Sequence, residues 1–200
     1  VGHKALGRAL SDIAAMGGLP VHAFISIAIP ADCELDYLDD FYDGMKSLAA
    51  EFDVNILGGD TTRSKTDLIV NIMVVGTVAA DNLLARDAAR PGDCIFSTGF
   101  LGDSKAGLQL ILDETKIDAE DLNYLYTAHI RPRPHVLEGQ FLSRQKGVRA
   151  AIDVSDGLSN DIGHISEESH VGVRLFAERI PISPALDRFC ADRNAAAVDW

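Results

Sequence analysis

The chain of 200 residues is 47% hydrophobic and carries 18 basic against 30 acidic residues, a formal net charge of −12. That length buries one large core or two modest ones, and that charge is opposite to the basic footprint a phosphate backbone demands, which excludes nucleic acid as a partner. The same charge repels a nucleoside triphosphate, so an anionic ligand needs divalent cations to bridge it to the acidic residues.

Lys4 to Met16 places Leu6, Leu10, Ile13 and Ala14 at helical spacing before Gly17-Gly18 and Pro20, which predicts a helix with a glycine stop. Val21 to Ile29, apolar and ending at Pro30, reads as a strand buried on both faces. Glu34 to Phe52 is a helix whose acidic residues (Glu34, Asp36, Asp39, Asp40 and Asp43) are a solvated face. Val54 to Leu57 is a short strand that runs into a polar loop, Gly58-Gly59-Asp60-Thr61-Thr62, and Leu68 to Val78 is a long strand. Asp81 to Asp93 breaks the periodicity and suits a domain junction or active-site loop, so domains are expected at 1–90 and 91–200.

A second α/β cycle follows. Cys94 to Thr98, Arg149 to Asp153 and Val171 to Ala177 read as strands. Helices are expected over Asp103 to Leu112, with Leu108, Ile111 and Leu112 as the apolar stripe, and over Ala119 to Thr127, Val136 to Gln145, Gly157 to Ser169 and Pro184 to Asp192. Arg131-Pro132-Arg133-Pro134 cannot continue a helix. Cys33, Cys94 and Cys190 form no C-x-x-C pair, which argues against a disulfide framework or structural zinc and fits a reducing cytosol. The longest apolar run, Leu68 to Val78, falls short of the roughly 18 residues of a membrane span, so a cytoplasmic chain with no membrane partner is expected. Beginning at Val1, it reads as a fragment or a chain without its start.

Three acidic clusters stand at element ends, where α/β folds place ligands: Ser11-Asp12, Gly59-Asp60-Thr61-Thr62 and Asp153-Val154-Ser155-Asp156-Gly157. Their oxygens are the hard ligands that magnesium prefers, one or two carboxylates at a time alongside substrate phosphates. Taken singly, each has a plainer reading. Asp12 follows Arg8 at the spacing of an exposed ion pair, Asp60 suits a turn cap, and Asp156 suits the N-cap of the helix after it. The last cluster does not match a calcium loop, and no Walker-type phosphate loop occurs. Gly99-Phe100-Leu101-Gly102 reads as a strand-to-helix turn.

Ser11-Asp12-Ile13-Ala14-Ala15-Met16-Gly17-Gly18-Leu19-Pro20, Gly58-Gly59-Asp60-Thr61, Arg86-Asp87-Ala88 before Pro91-Gly92-Asp93, and Ile152-Asp153-Val154-Ser155-Asp156-Gly157-Leu158, in that order, resemble the thiamine-monophosphate kinases. That family sits in the superfamily of aminoimidazole ribonucleotide synthetase and selenophosphate synthetase. The resemblance implies a two-domain α/β fold: an N-terminal domain whose mixed sheet pairs across a homodimer, and a C-terminal domain with a mixed sheet flanked by helices. It implies ATP as co-substrate with several Mg2+ ions, thiamine monophosphate as acceptor and thiamine diphosphate as product. Asp12, Asp60, Asp153 and Asp156 match metal-binding aspartates, and Gly59, Asp60, Arg86 and Ser155 match nucleotide-contacting positions.

An acceptor phosphate has a second pKa near 6 and is largely deprotonated at neutral pH, so no general base is expected and His22, His129, His135 and His164 are expected to be packing or surface residues. Similar proteins carry further acidic segments before and after the stretch seen here, which implies that some metal ligands and much of the thiamine pocket lie outside it. Another synthetase of the superfamily with a different acceptor, or a nucleotide-binding chain without turnover, are the alternatives.

Overall fold

The computed structural model describes residues 1–117 and 119–200. Its first half is a three-stranded sheet backed by two helices. Helix α1 (Gly2–Ala15) ends as its glycines dictate, with the Gly17 N–H bonded to the Ala14 carbonyl and the Gly18 N–H to the Ile13 carbonyl, both at 2.9 Å. Strand β1 (Leu19–Ile29) leaves this turn, helix α2 (Leu35–Glu51) follows, and strands β2 (Asn55–Arg63) and β3 (Ile69–Thr77) complete the sheet in the order β2-β1-β3. β1 is parallel to β2 and antiparallel to β3.

Only one face of β1 is buried, contrary to the expectation from its sequence. Ala23, Ile25 and Ile27 enter a core with Leu6, Leu10 and Ala14 of α1 and Phe41, Met45 and Leu48 of α2. The opposite face carries Ser26 beside Asn71, with Met73, Val75 and Ile69 of β3 exposed along it. An unbroken apolar run does not by itself show how many faces are covered, because a one-sided strand whose outer face is also apolar has the same composition.

The second half is mainly helical: α3 (Asp103–Leu112), α4 (Glu120–Ile130), α5 (Val136–Ser143), α6 (Leu158–Ser169) and α7 (Pro184–Asp192). These helices go to different places. α5 packs on α1 and inserts Val136 into the first core, whereas α3, α4 and α7 build a separate core around Leu110, Leu125, Leu186 and Phe189. The strands expected over Cys94 to Thr98, Arg149 to Asp153 and Val171 to Ala177 form no ladder among the described residues. A β-branched, apolar segment specifies an extended backbone, but a strand also needs a neighbour to bond to. Here these segments leave apolar side chains outside, Phe96 at 89% exposure among them.

The apolar stripe of α3 is also not the expected one. Leu110, Ala106 and Gly107 face inward, while Leu108, Ile111 and Leu112 are exposed to solvent. The phase of the helix is set by a polar residue. Asp103 is buried in its first turn, where it accepts hydrogen bonds from the Ser183 hydroxyl at 2.6 Å and the Tyr124 hydroxyl at 2.7 Å. Residues three, four and seven positions on must then share its side. Burial and the neighbouring Asp103 push the Tyr124 phenol up to about 12, so it is a proton donor to Asp103 throughout the physiological range. Leu110→Ala should therefore cost ~2–5 kcal/mol in urea unfolding, whereas Leu112→Ala, two positions along, should stay within ~0.5 kcal/mol.

Candidate active site

Asp12 lies in the third turn of α1, opposite the side that Leu6, Leu10 and Ala14 bury. Burial raises its carboxyl above the usual range, and the Asp153 charge raises it further, while Arg86 and Arg8 pull the other way. Asp12, Asp153 and Arg86 therefore belong to one electrostatic neighbourhood, although 67 residues separate even the nearest two in sequence, Arg86 and Asp153. Arg8 acts on Asp12 but does not neutralise it.

Each member of this group is held by its own local device. Arg86 opens a short 3-10 turn, Arg86–Ala88, that packs on the end of α6. The Ser169 hydroxyl donates to the Arg86 carbonyl at 2.6 Å and accepts from the Ala89 N–H at 3.0 Å. The Arg86 guanidinium meets Glu168 only loosely, at 3.9 Å, and about half of each side chain is in solvent. An ion pair of that kind is worth little and leaves the cation available. Asp153 ends the segment that begins at Arg149, whose guanidinium pairs with Asp93. Asp93 also accepts from the Arg90 N–H at 2.9 Å, and these contacts, the backbone one foremost, hold its carboxyl below the usual range.

Beyond Asp153 the chain turns through Ser155, Asp156 and Gly157 into α6. The N-cap of α6 is Gly157, not Asp156, and no side chain caps it there. The turn is held instead from inside the helix, by Asp161. One of its carboxylate oxygens accepts the N–H groups of Ser155, Asp156 and Gly157 at 3.0, 3.2 and 3.1 Å. Ser155 and Asp156 consequently present their side chains to solvent. Asp161 was not singled out by its sequence. The available signal was its position four residues before the buried Ile165, which puts a carboxylate on the inward face of α6.

Gly58 to Thr62 is not the loop expected of it but the body of β2. Gly59 makes close pairing possible there, and Gly58 supplies an unusual backbone conformation beside it. A Cβ on Gly59 would lie 1.6 Å from the Ile25 carbonyl oxygen, and φ is +158° at Gly59 and +148° at Gly58, next to an irregularity in the β1 register. Asp60 is in register with Ser26 and so shares the outward face of the sheet, whereas α1 packs on the inward one. The turn-cap reading of Asp60 thus gives way to a strand position. Among the described residues, no three His, Cys, Asp or Glu side chains converge to hold a metal ion by themselves. A site built of Asp12 and Asp153 has the one or two carboxylates that magnesium takes when phosphates complete its coordination.

Residues 1–78 match the family model of the AIR synthase related protein N-terminal domain. Over 194 residues the chain is 39% identical to the thiamine-monophosphate kinase of Escherichia coli O157:H7, a match over 96% of this chain and 58% of that protein. The enzyme of Bacillus subtilis strain 168 is 37% identical over 94% of this chain and 58% of its own length. Over nearly its whole length the chain is similar to the thiamine-monophosphate kinases. A solved structure described as AaThiL complexed with AMPPCP and TMP superposes with a TM-score of 0.91 at 32% identity, over 99% of this chain and 62% of that one. This chain therefore spans about six-tenths of the length of its relatives.

The charge on Asp12 carries a stability signature. Its pKa is raised in the folded protein, so the folded state binds protons more readily than the unfolded state, and stability falls as pH rises through the window just above the ordinary carboxylate range. The destabilisation is complete at neutral pH and relieved on acidification. Asp12→Asn should accordingly raise Tm at pH 7 in chelator, and the difference should shrink as pH falls toward 4; a constant or inverted difference in a thermal-melt series would contradict the electrostatic assignment.

Proposed function

We propose that the complete protein transfers the terminal phosphoryl group of ATP to thiamine monophosphate, forming thiamine diphosphate. The observation that carries this reading is the convergence of Asp12, Asp153 and Arg86 in a chain whose relatives at 37–39% identity bear the name thiamine-monophosphate kinase. A structural neighbour holding an ATP analogue and TMP supports the same pair of reactants.

Asp12, Asp60, Asp153 and Asp156 would hold magnesium, and Gly59, Asp60, Arg86 and Ser155 would contact the nucleotide. When bound, magnesium would offset the charge of two phosphate-bearing reactants against the carboxylates. The protein's own part is then positioning. Gly59, lacking a side chain, lets β2 run flush against β1; Arg86 offers a guanidinium that its loose pairing with Glu168 leaves free to turn toward a phosphate. The acceptor phosphate is already deprotonated at neutral pH, so no general base is assigned. His129 is engaged elsewhere: its ring lies 2.9 Å from the Lys4 ammonium, and burial and that cation hold its pKa down.

The outward face of the sheet, with Met73, Val75 and Ile69 exposed beside Asp60, is best covered by a second copy of the chain, which would make Asp60 part of a site shared between subunits. A division at 1–90 and 91–200 agrees with two separate cores, with α5 reaching across it. Among the described residues no helix is long and apolar enough to cross a membrane, and a cytoplasmic enzyme is our reading.

The complete protein with magnesium, ATP and thiamine monophosphate should yield thiamine diphosphate by chromatography, and Asp153→Asn and Asp156→Asn should each lower kcat by at least about 100-fold while remaining folded. Turnover of a different acceptor alone would sink the assignment. Met73→Glu should shift the sedimentation coefficient from dimer to monomer; a variant that sediments as the wild type would exclude this face as the interface.

A further inference from the structure

We infer that Asp161 is the positioning residue of the site: it shapes the Ser155–Gly157 turn so that Asp153, Ser155 and Asp156 face the metal and nucleotide, and it touches neither. Resting on the functional reading above, this adds a residue outside the motifs the sequence singled out. Asp161 is 3% exposed, and one oxygen of its carboxylate gathers three successive backbone N–H groups, from Ser155, Asp156 and Gly157, within 3.0–3.2 Å. Three consecutive amides converging on one point form a concavity of the kind that elsewhere binds phosphate. Here the protein fills it with its own anion.

Two consequences follow from that geometry. First, the amides of this turn are spent on Asp161, so it offers a bound nucleotide only its side chains and carbonyls. Phosphate charge must then be met by cations, whether magnesium or Arg86. Second, the anchor sits on α6, the helix whose other end is bonded to the Arg86 turn through Ser169. One rigid helix thus spaces the carboxylates from the guanidinium, and the buried Ile165 fixes that helix in place.

Removing the charge while keeping the shape isolates this role. Asp161→Asn in the complete protein should fold with an unchanged far-ultraviolet spectrum yet bind Mn2+ about 10–100-fold more weakly by electron paramagnetic resonance, the range seen when a group supporting metal ligands is lost. The amides of Ser155, Asp156 and Gly157 should exchange with deuterium faster, and the magnesium concentration for half-maximal turnover should rise with Mn2+ dissociation. Asp161→Ala should recover part of its Mn2+ affinity on addition of formate, which can enter the vacated concavity. If Asp161→Asn fails to fold, Asp161→Glu, with the charge displaced by one methylene, carries the same Mn2+ reading. Mn2+ affinity within twofold of wild type in a folded variant would overturn the inference, as would a loss that merely tracks the folded fraction. Weakened Mn2+ binding in a protein whose wild type makes no thiamine diphosphate would instead overturn the functional reading and leave Asp161 in its role.

Discussion

Carboxylates brought together with too little positive charge between them are the condition the rest of this molecule answers to. Asp12 and Asp153 come from opposite halves of the chain, and after burial the Asp153 charge further raises the Asp12 carboxyl. Folding gains nothing from that repulsion. A stable scaffold has to hold the two halves against it, and the packing does so away from the acidic edge, with α5 lying along α1 and Val136 entering the first core. Uncompensated charge of this sort is what a site looks like when its ligand supplies the missing sign.

On the proposed function, phosphate would be handled otherwise than by the glycine-loop device, in which backbone N–H groups point at the anion. The Ser155–Gly157 turn, which has such a geometry, is already occupied by Asp161, and Gly59 of β2 serves strand pairing. What remains for an anionic substrate is Arg86 and whatever cations the aspartates hold. That proposed division of labour would reconcile a net charge of −12 with polyanionic reactants.

How much of this was legible beforehand depends on whether local pattern or long-range pairing decides the outcome. The first helix, its glycine stop and the solvated acidic face of α2 follow from periodicity and were read within a residue or two. The motif aspartates were expected at element ends, but Asp60 proves to lie in the body of β2 and the segment ending at Asp153 forms no ladder among the described residues. Three features were not legible, for distinct reasons. The burial of β1 on one face depends on a neighbour that composition does not name. The stripe of α3 is phased by Asp103, whose partners Ser183 and Tyr124 lie 80 and 21 residues away. The Gly58 to Thr62 segment looks like a loop because its residues are turn formers, yet β1 accepts it as a strand only because glycine allows the backbones to touch.

Asp161 belongs to the same class of hidden determinant as Asp103. Both are buried aspartates in the first turns of helices, and both would count as errors if burial of charge were judged residue by residue. Their donors decide otherwise: two hydroxyls for Asp103, three amides for Asp161. In each case the carboxylate sets the orientation of something else, a helix in one and the Ser155–Gly157 turn in the other. The cost of desolvating a charge is repaid only when every donor is in place, so an alternative turn geometry that drops one amide is disfavoured more steeply than it would be around a neutral acceptor. That steepness is what a metal site built from an exposed loop requires, since carboxylates that drift by an ångström lose the coordination that exposed packing alone cannot hold.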